Sequence, residues 1–161
     1  MTTRAPDADA PDAFGAAPAA RPTWLEYDVS VPPGHQPGKI EWPDGGSDPA
    51  RNFTVRSRTA LSRDAFAHKV AGMRAGLYIH GFNTRYPEAL FRTAQLSADA
   101  HMEGKPVLFT WPSAGHAAAY LADRDASDFS RAALADLLEM LTRGRRLSDP
   151  VPVLAHSWAR G

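Results

Sequence analysis

The chain has 161 residues, 43% hydrophobic and 22% charged, which is ordinary globular material and enough for one domain with a core of its own. Lys plus Arg and Asp plus Glu both number 18, so no net field recruits nucleic acid or an anionic membrane, and the absence of cysteine removes disulfides, thiolate chemistry and Cys-ligated zinc. No apolar run approaches the ~20 residues that span a bilayer and no signal core opens the chain, so a soluble, cytoplasmic protein is expected.

Nine of the 14 prolines lie in the first 50 residues, and the opening "MTTRAPDADAPDAFGAAPAARP" offers almost nothing to bury. Its composition predicts a disordered tail over residues 1–22, ahead of a single domain over residues 23–161. "TWLEYDVSVP" and "RNFTVRSR" follow, with Trp24, Tyr27, Val29, Phe53 and Val55 alternating imperfectly with polar positions, as in strands half facing a core. The turn-rich connection between them leaves room for a short strand at Lys39 to Trp42.

From Ser62 the period changes to that of helices alternating with strands. "SRDAFAHKVAG" reads as a short capped helix and "AGLYIHGFN" as a buried strand running into a glycine. "YPEALFRTAQLSADAHM" sets Leu90, Phe91, Ala94 and Ala98 on one helical face, with Pro87 in the first turn. "KPVLFTWPS" is a second apolar strand. "SDFSRAALADLLEMLTRGRR" is a helix with Ala133, Leu134, Leu137, Leu138 and Leu141 on one face, and "DPVPVLAHS" is the third strand. This order implies crossovers within a mostly parallel sheet flanked by helices.

Two strand ends carry the residue types that acyl chemistry needs. "YIHGFN" ends in His80 and Gly81, where the backbone turns sharply and the Phe82 amide is available to an oxyanion. "LAHSW" delivers Ser157 to the turn after a strand. Taken alone, the first is a strand-to-helix turn with a packed histidine and the second a turn residue or N-cap. The six histidines, His35, His68, His80, His101, His116 and His156, are scattered without metal-ligand spacing, so neither a metal nor a cofactor is expected.

In the order "HGFNT", "FTWPS", "DRDAS", "AHS", the segments between Thr54 and Ser157 resemble the α/β-hydrolase superfamily, and within it a bacterial branch of unknown function. The resemblance implies the N-terminal half of an α/β-hydrolase fold and a serine-dependent hydrolase of ester or related acyl bonds in a small-molecule substrate. It makes Ser157 the nucleophile and the amides of Phe82 and Trp158 the oxyanion hole, with His80 and Gly81 forming the oxyanion turn.

Three departures weigh against activity. Ala159 stands where the family elbow has glycine, no helix follows the serine, and no Asp, Glu or His follows Ser157, where the triad acid and histidine belong in chain order. Asp123, Asp125 and Asp128 read as helix caps and solvated charges, and His116 lacks an orienting partner. The ending also admits a genetic account. A segment coding Ala-His-Ser-Met-Gly-Thr-Arg that loses the A of its Met codon changes ATG-GGC-ACG-CGG to TGG-GCA-CGC-GG, which reads as the observed Trp158, Ala159, Arg160 and Gly161.

The expectation is thus an inactive, frameshifted or truncated hydrolase, the alternative being a non-catalytic binding or assembly module completed by another chain. Truncation inside the sheet would expose the edge of the Val151 to His156 strand and invite self-association.

Overall fold

Ser62 closes the second of the early strands and opens the first helix, its hydroxyl accepting from the Ala65 amide in an N-cap. In the computed structural model, which describes residues 1–7, 9, 14–113 and 129–156, the chain order is β1 (Thr2–Pro6), β2 (Phe14–Ser30), β3 (Thr54–Leu61), α1 (Arg63–Val70), β4 (Ala75–Ile79), α2 (Tyr86–Asp99), β5 (Lys105–Phe109), α3 (Arg131–Thr142) and β6 (Val153–Ala155). Helix α2 starts as its sequence suggests, with Pro87 in the first turn and the Glu88 carboxylate accepting from the Arg85 amide.

The helix–strand alternation after Ser62 produces a parallel sheet in the order β5-β4-β6, in register from Ala75 opposite Lys105 to Ile79 opposite Phe109. One apolar cluster joins Phe66 and Val70 of α1, Leu77 of β4, Val107 and Phe109 of β5, and Leu137, Met140 and Leu141 of α3. Helix α2 packs against β5 and β2.

The mostly parallel sheet that was expected is found only in part: among the described residues three strands form the parallel sheet and three others an antiparallel one, in the order β1-β2-β3. β2 and β3 pair antiparallel from Trp24 opposite Leu61 to Ser30 opposite Thr54. No strand forms at Lys39 to Trp42; Phe53 donates from its amide to the Glu41 carbonyl at 2.9 Å, and residues 31–53 run as a loop. Nor does β6 have neighbours on both sides among the described residues, and Val153 and Leu154 are half exposed.

A larger correction concerns residues 1–22, where a disordered tail was expected from composition. Most of that stretch is strand, and Met1, Thr2, Thr3, Arg4 and Phe14 are buried. Composition misleads because what holds this segment is polar and long-range. Met1 and Thr3 exchange main-chain bonds with Leu108 and Thr110 at 2.9 to 3.1 Å, extending the parallel sheet by one bridge between Thr2 and Thr110. Burial pulls the Met1 amino group down to about 5.

Candidate active site

In the order β5-β4-β6 the chain leaves β4 toward one side of the sheet and returns to β6 on the other. The crevice outside the carboxyl ends of β4 and β6 is therefore the topological switch point, where open α/β sheets bind ligands. His80, Gly81 and Phe82 leave β4 there, and His156 leaves β6 there.

The two strand ends are in close contact. The His156 amide donates to the Ile79 carbonyl at 2.9 Å, and a Cβ built on Gly81 would stand 2.6 Å from the His156 carbonyl oxygen and 2.7 Å from its Nδ1. Glycine is thus required at position 81 because backbone meets backbone, rather than for a left-handed conformation; Asn83 supplies that two residues on, at φ 59°.

His80 is 1% exposed and lies stacked on Trp111, with ring centroids 5.0 Å apart. Its bonds fix its tautomer. The Trp111 amide donates to Nε2 at 3.1 Å, so Nε2 carries no proton, and Nδ1–H donates to the Gly81 carbonyl at 2.8 Å. The Thr110 hydroxyl, 3.0 Å from Nε2, accepts from Arg4 Nε–H at 3.0 Å and directs its own proton at the imidazole. A histidine held in this way orients a backbone turn rather than serving as a base. The Trp111 indole N–H closes the arrangement by donating to the His80 carbonyl at 3.0 Å.

The consequence reaches the candidate oxyanion donor. The Gly81 carbonyl and the Phe82 N–H belong to one planar trans peptide, so fixing the first fixes the direction of the second. At the far end of the turn, Thr84 donates from its amide to Ser113 Oγ at 3.2 Å, and its carbonyl accepts from Arg4 Nη2 at 2.6 Å.

Ser157 and Trp158, expected to act as nucleophile and second oxyanion amide, lie outside the described residues, as do His116, Asp123, Asp125 and Asp128. The structure thus brings His80, Gly81, Phe82 and His156 together. Sequence reasoning missed Arg4 and Thr110 at this site. It also missed a cavity of about 470 Å³ between β2, β5, α1 and α2, lined by Leu25, Tyr27, Phe66, Leu90 and Val107, which does not include the turn at residues 80–82. Among the described residues no group of His, Asp and Glu has the arrangement of a metal site, and no helix is long and apolar enough to cross a membrane.

The family model of an alpha/beta hydrolase of unknown function, DUF900, matches residues 54–160. No curated protein and no solved structure matches the chain.

Proposed function

The chain belongs to this alpha/beta hydrolase family, and from that premise we propose that its switch-point crevice is the nucleophile and oxyanion side of a serine hydrolase site for small esters or related acyl compounds. In this reading Ser157 attacks the acyl carbon, and the amides of Phe82 and Trp158 receive the negative charge that develops on the carbonyl oxygen. The observation that carries the proposal is the contact of Gly81 with His156, which sets the residue preceding Ser157 directly against the turn bearing the Phe82 amide.

An alkoxide-like attack needs a base to take the serine proton, and the 161 residues hold no Asp, Glu or His after Ser157. His80 does not fill that role, because Nε2 already accepts from Trp111 and Nδ1–H is committed to Gly81. A polypeptide of these residues alone is therefore proposed to be catalytically silent, with at best the ~10³ to 10⁴-fold over water that oxyanion donors and binding supply.

Fluorophosphonate labelling tests the assignment. The 161-residue chain is expected to hydrolyse p-nitrophenyl esters no faster than its Ser157→Ala variant and to take up no probe; stoichiometric labelling of Ser157 would overturn the silence. In a longer protein that carries these residues and supplies a triad acid and histidine, labelling is expected at Ser157. Labelling at a different residue in that protein would overturn Ser157 as nucleophile.

A further inference from the structure

The most deeply anchored charge among the described residues lies outside the segment that matches the family. Arg4, in β1, is 1% exposed, and its guanidinium donates to Thr110 Oγ1 at 3.0 Å, the Gly15 carbonyl at 3.0 Å, the Ser113 carbonyl at 3.1 Å and the Thr84 carbonyl at 2.6 Å. Three of these acceptors belong to the segments that leave the carboxyl ends of β4 and β5. A planar fork with five N–H donors suits this task, since each donor direction is fixed by the others.

One of the four bonds is the start of a chain. Arg4 Nε–H occupies a lone pair of the Thr110 hydroxyl, which leaves that hydroxyl to donate toward His80 Nε2. An imidazole that accepts at Nε2, here from the Thr110 hydroxyl together with the Trp111 amide, keeps its proton on Nδ1, and Nδ1–H holds the Gly81 carbonyl. The Gly81 carbonyl is the other side of the Phe82 peptide. A second arm holds the Thr84 carbonyl, so the turn that carries Phe82 is gripped on both sides of that amide.

We propose that Arg4 is a positioning residue: through Thr110 and His80 it sets the direction of the Phe82 N–H, so that the N-terminal strand aligns the oxyanion turn of the parallel sheet. The inference rests on the reading of Phe82 as an oxyanion donor, but the geometric relay does not depend on turnover. Arg4 touches no reacting atom in this scheme.

The test is nitrogen NMR of the His80 ring in the full chain, with Thr110→Val and Arg4→Met compared with the unaltered protein. The unaltered protein is expected to show a single neutral tautomer, protonated at Nδ1. Thr110→Val leaves the Arg4 bonds to Gly15, Thr84 and Ser113 in place and removes the hydroxyl that links Arg4 to His80. It is expected to speed exchange of the Nδ1 proton about tenfold, the loss of one hydrogen bond of ordinary strength, and to move the Phe82 amide resonance. Arg4→Met is expected to do the same and to shift Thr84 as well.

Guanidinium ion added at millimolar concentration, which fits the site left by Arg4→Ala, is expected to return the His80 signals toward those of the unaltered protein. A folded Thr110→Val protein with unchanged His80 exchange and an unmoved Phe82 amide would overturn the relay, whatever its melting temperature. If Arg4→Met fails to fold, Thr110→Val alone decides. Failure of the oxyanion reading is separate: it would show as a Ser157 adduct, in a longer protein that supplies the triad acid and histidine, that leaves the Phe82 amide resonance unmoved while the Thr110→Val effect on His80 persists.

Discussion

Phe109 of β5 and Phe14 of β2 are each 2% exposed, yet they are buried in different ways. Phe109 belongs to the cluster in which apolar side chains of α1, β4, β5 and α3 interlock, joined by Met1 and by Trp24 of β2. Phe14 belongs to a small satellite with Leu25 and Tyr86, its ring 4.8 Å from that of Tyr86 and capped by the Arg58 guanidinium at 4.9 Å. The parallel unit is held by the amount of apolar surface it removes from water. Trp24, late in β2, packs on Phe66 with ring centroids 4.8 Å apart, but β1 and the first half of β2 are held by a few anchors: the Phe14–Tyr86 ring contact, one buried arginine and a short run of main-chain bonds at Met1 and Thr3. Equal exposure therefore does not mean equal contribution, because a cavity in an interlocked cluster is shared by all its members whereas an anchored strand can open by itself.

Truncating each ring separates the two modes of burial. Phe109→Ala is expected to cost about 3 to 5 kcal/mol and to lower the whole urea transition. Phe14→Ala is expected to cost less globally and to raise amide exchange selectively in β1 and the first half of β2. Equal midpoints with uniform exchange in both variants would show that the two regions form one cooperative unit.

Gly81→Ala probes the junction between the strand ends. Its methyl would stand 2.6 Å from the His156 carbonyl oxygen, a backbone atom, and 2.7 Å from the His156 ring Nδ1, so β6 or the turn must shift. A loss of about 1 to 3 kcal/mol is expected, together with displacement of the His156 and Ile79 amide resonances. A variant as stable as the unaltered chain with both resonances unmoved would mean that the two strand ends are not in contact.

A third handle is the loop over residues 31–53, which joins the antiparallel pair to α2. His35 Nδ1 lies 2.7 Å from Glu41 Oε2 and its Nε2 lies 2.9 Å from Asp99 Oδ1, so both ring nitrogens face carboxylates and both must donate. The Glu41 bond first, with Asp99 adding to it against the opposing effect of burial, raises the His35 pKa above its usual 6.5. Because the folded pKa is raised, the contribution is fully present below about pH 6.5 and is lost as pH rises through the folded value. Glu41 and Asp99 are both shifted down, Asp99 chiefly by the Gly38 amide and Glu41 by His35 against its own burial, so their contributions disappear as pH falls through their folded values. His35→Gln is thus expected to destabilise the chain by about 1 to 3 kcal/mol in mildly acidic buffer and by less at pH 8. A cost independent of pH would count against the imidazolium. The smallest effect belongs to the exposed pair of Glu139 and Arg143, one helical turn apart at 2.6 Å, where Glu139→Gln should change the urea midpoint by less than about 0.5 kcal/mol equivalent.

The regions also differ in how far they can be read from residues alone. After Ser62 the elements come out in the expected order, because each declares itself locally: a serine cap before α1, Pro87 in the first turn of α2, a 3.6-residue apolar period along α3, and short apolar runs for β4, β5 and β6. The match to the family covers this part from Thr54 onward. Before Thr54 the same reasoning misreads residues 1–22, since a sequence of Ala, Pro and Asp carries no periodicity that announces a strand.

At the candidate site, the His-Gly turn was legible because a glycine ending an apolar strand is a local signal. Arg4 was not. An arginine in a stretch that looks unstructured has no local feature marking it for burial, and its acceptors at Gly15, Thr84, Thr110 and Ser113 are brought together only by folding. His35 is hidden for the same reason, its second partner Asp99 being 64 positions away.

What the sequence determined by itself is therefore the identity of the helices and parallel strands, the family, and the positions of the turn at Gly81 and of Ser157, since these depend on interactions within a few residues. The tertiary structure alone decided that the first strand joins the parallel sheet beside Thr110, that Gly81 meets His156, and that Arg4 reaches His80 through one hydroxyl. Such polar contacts are specified by direction as much as by composition, and direction exists only once the strands have been set side by side.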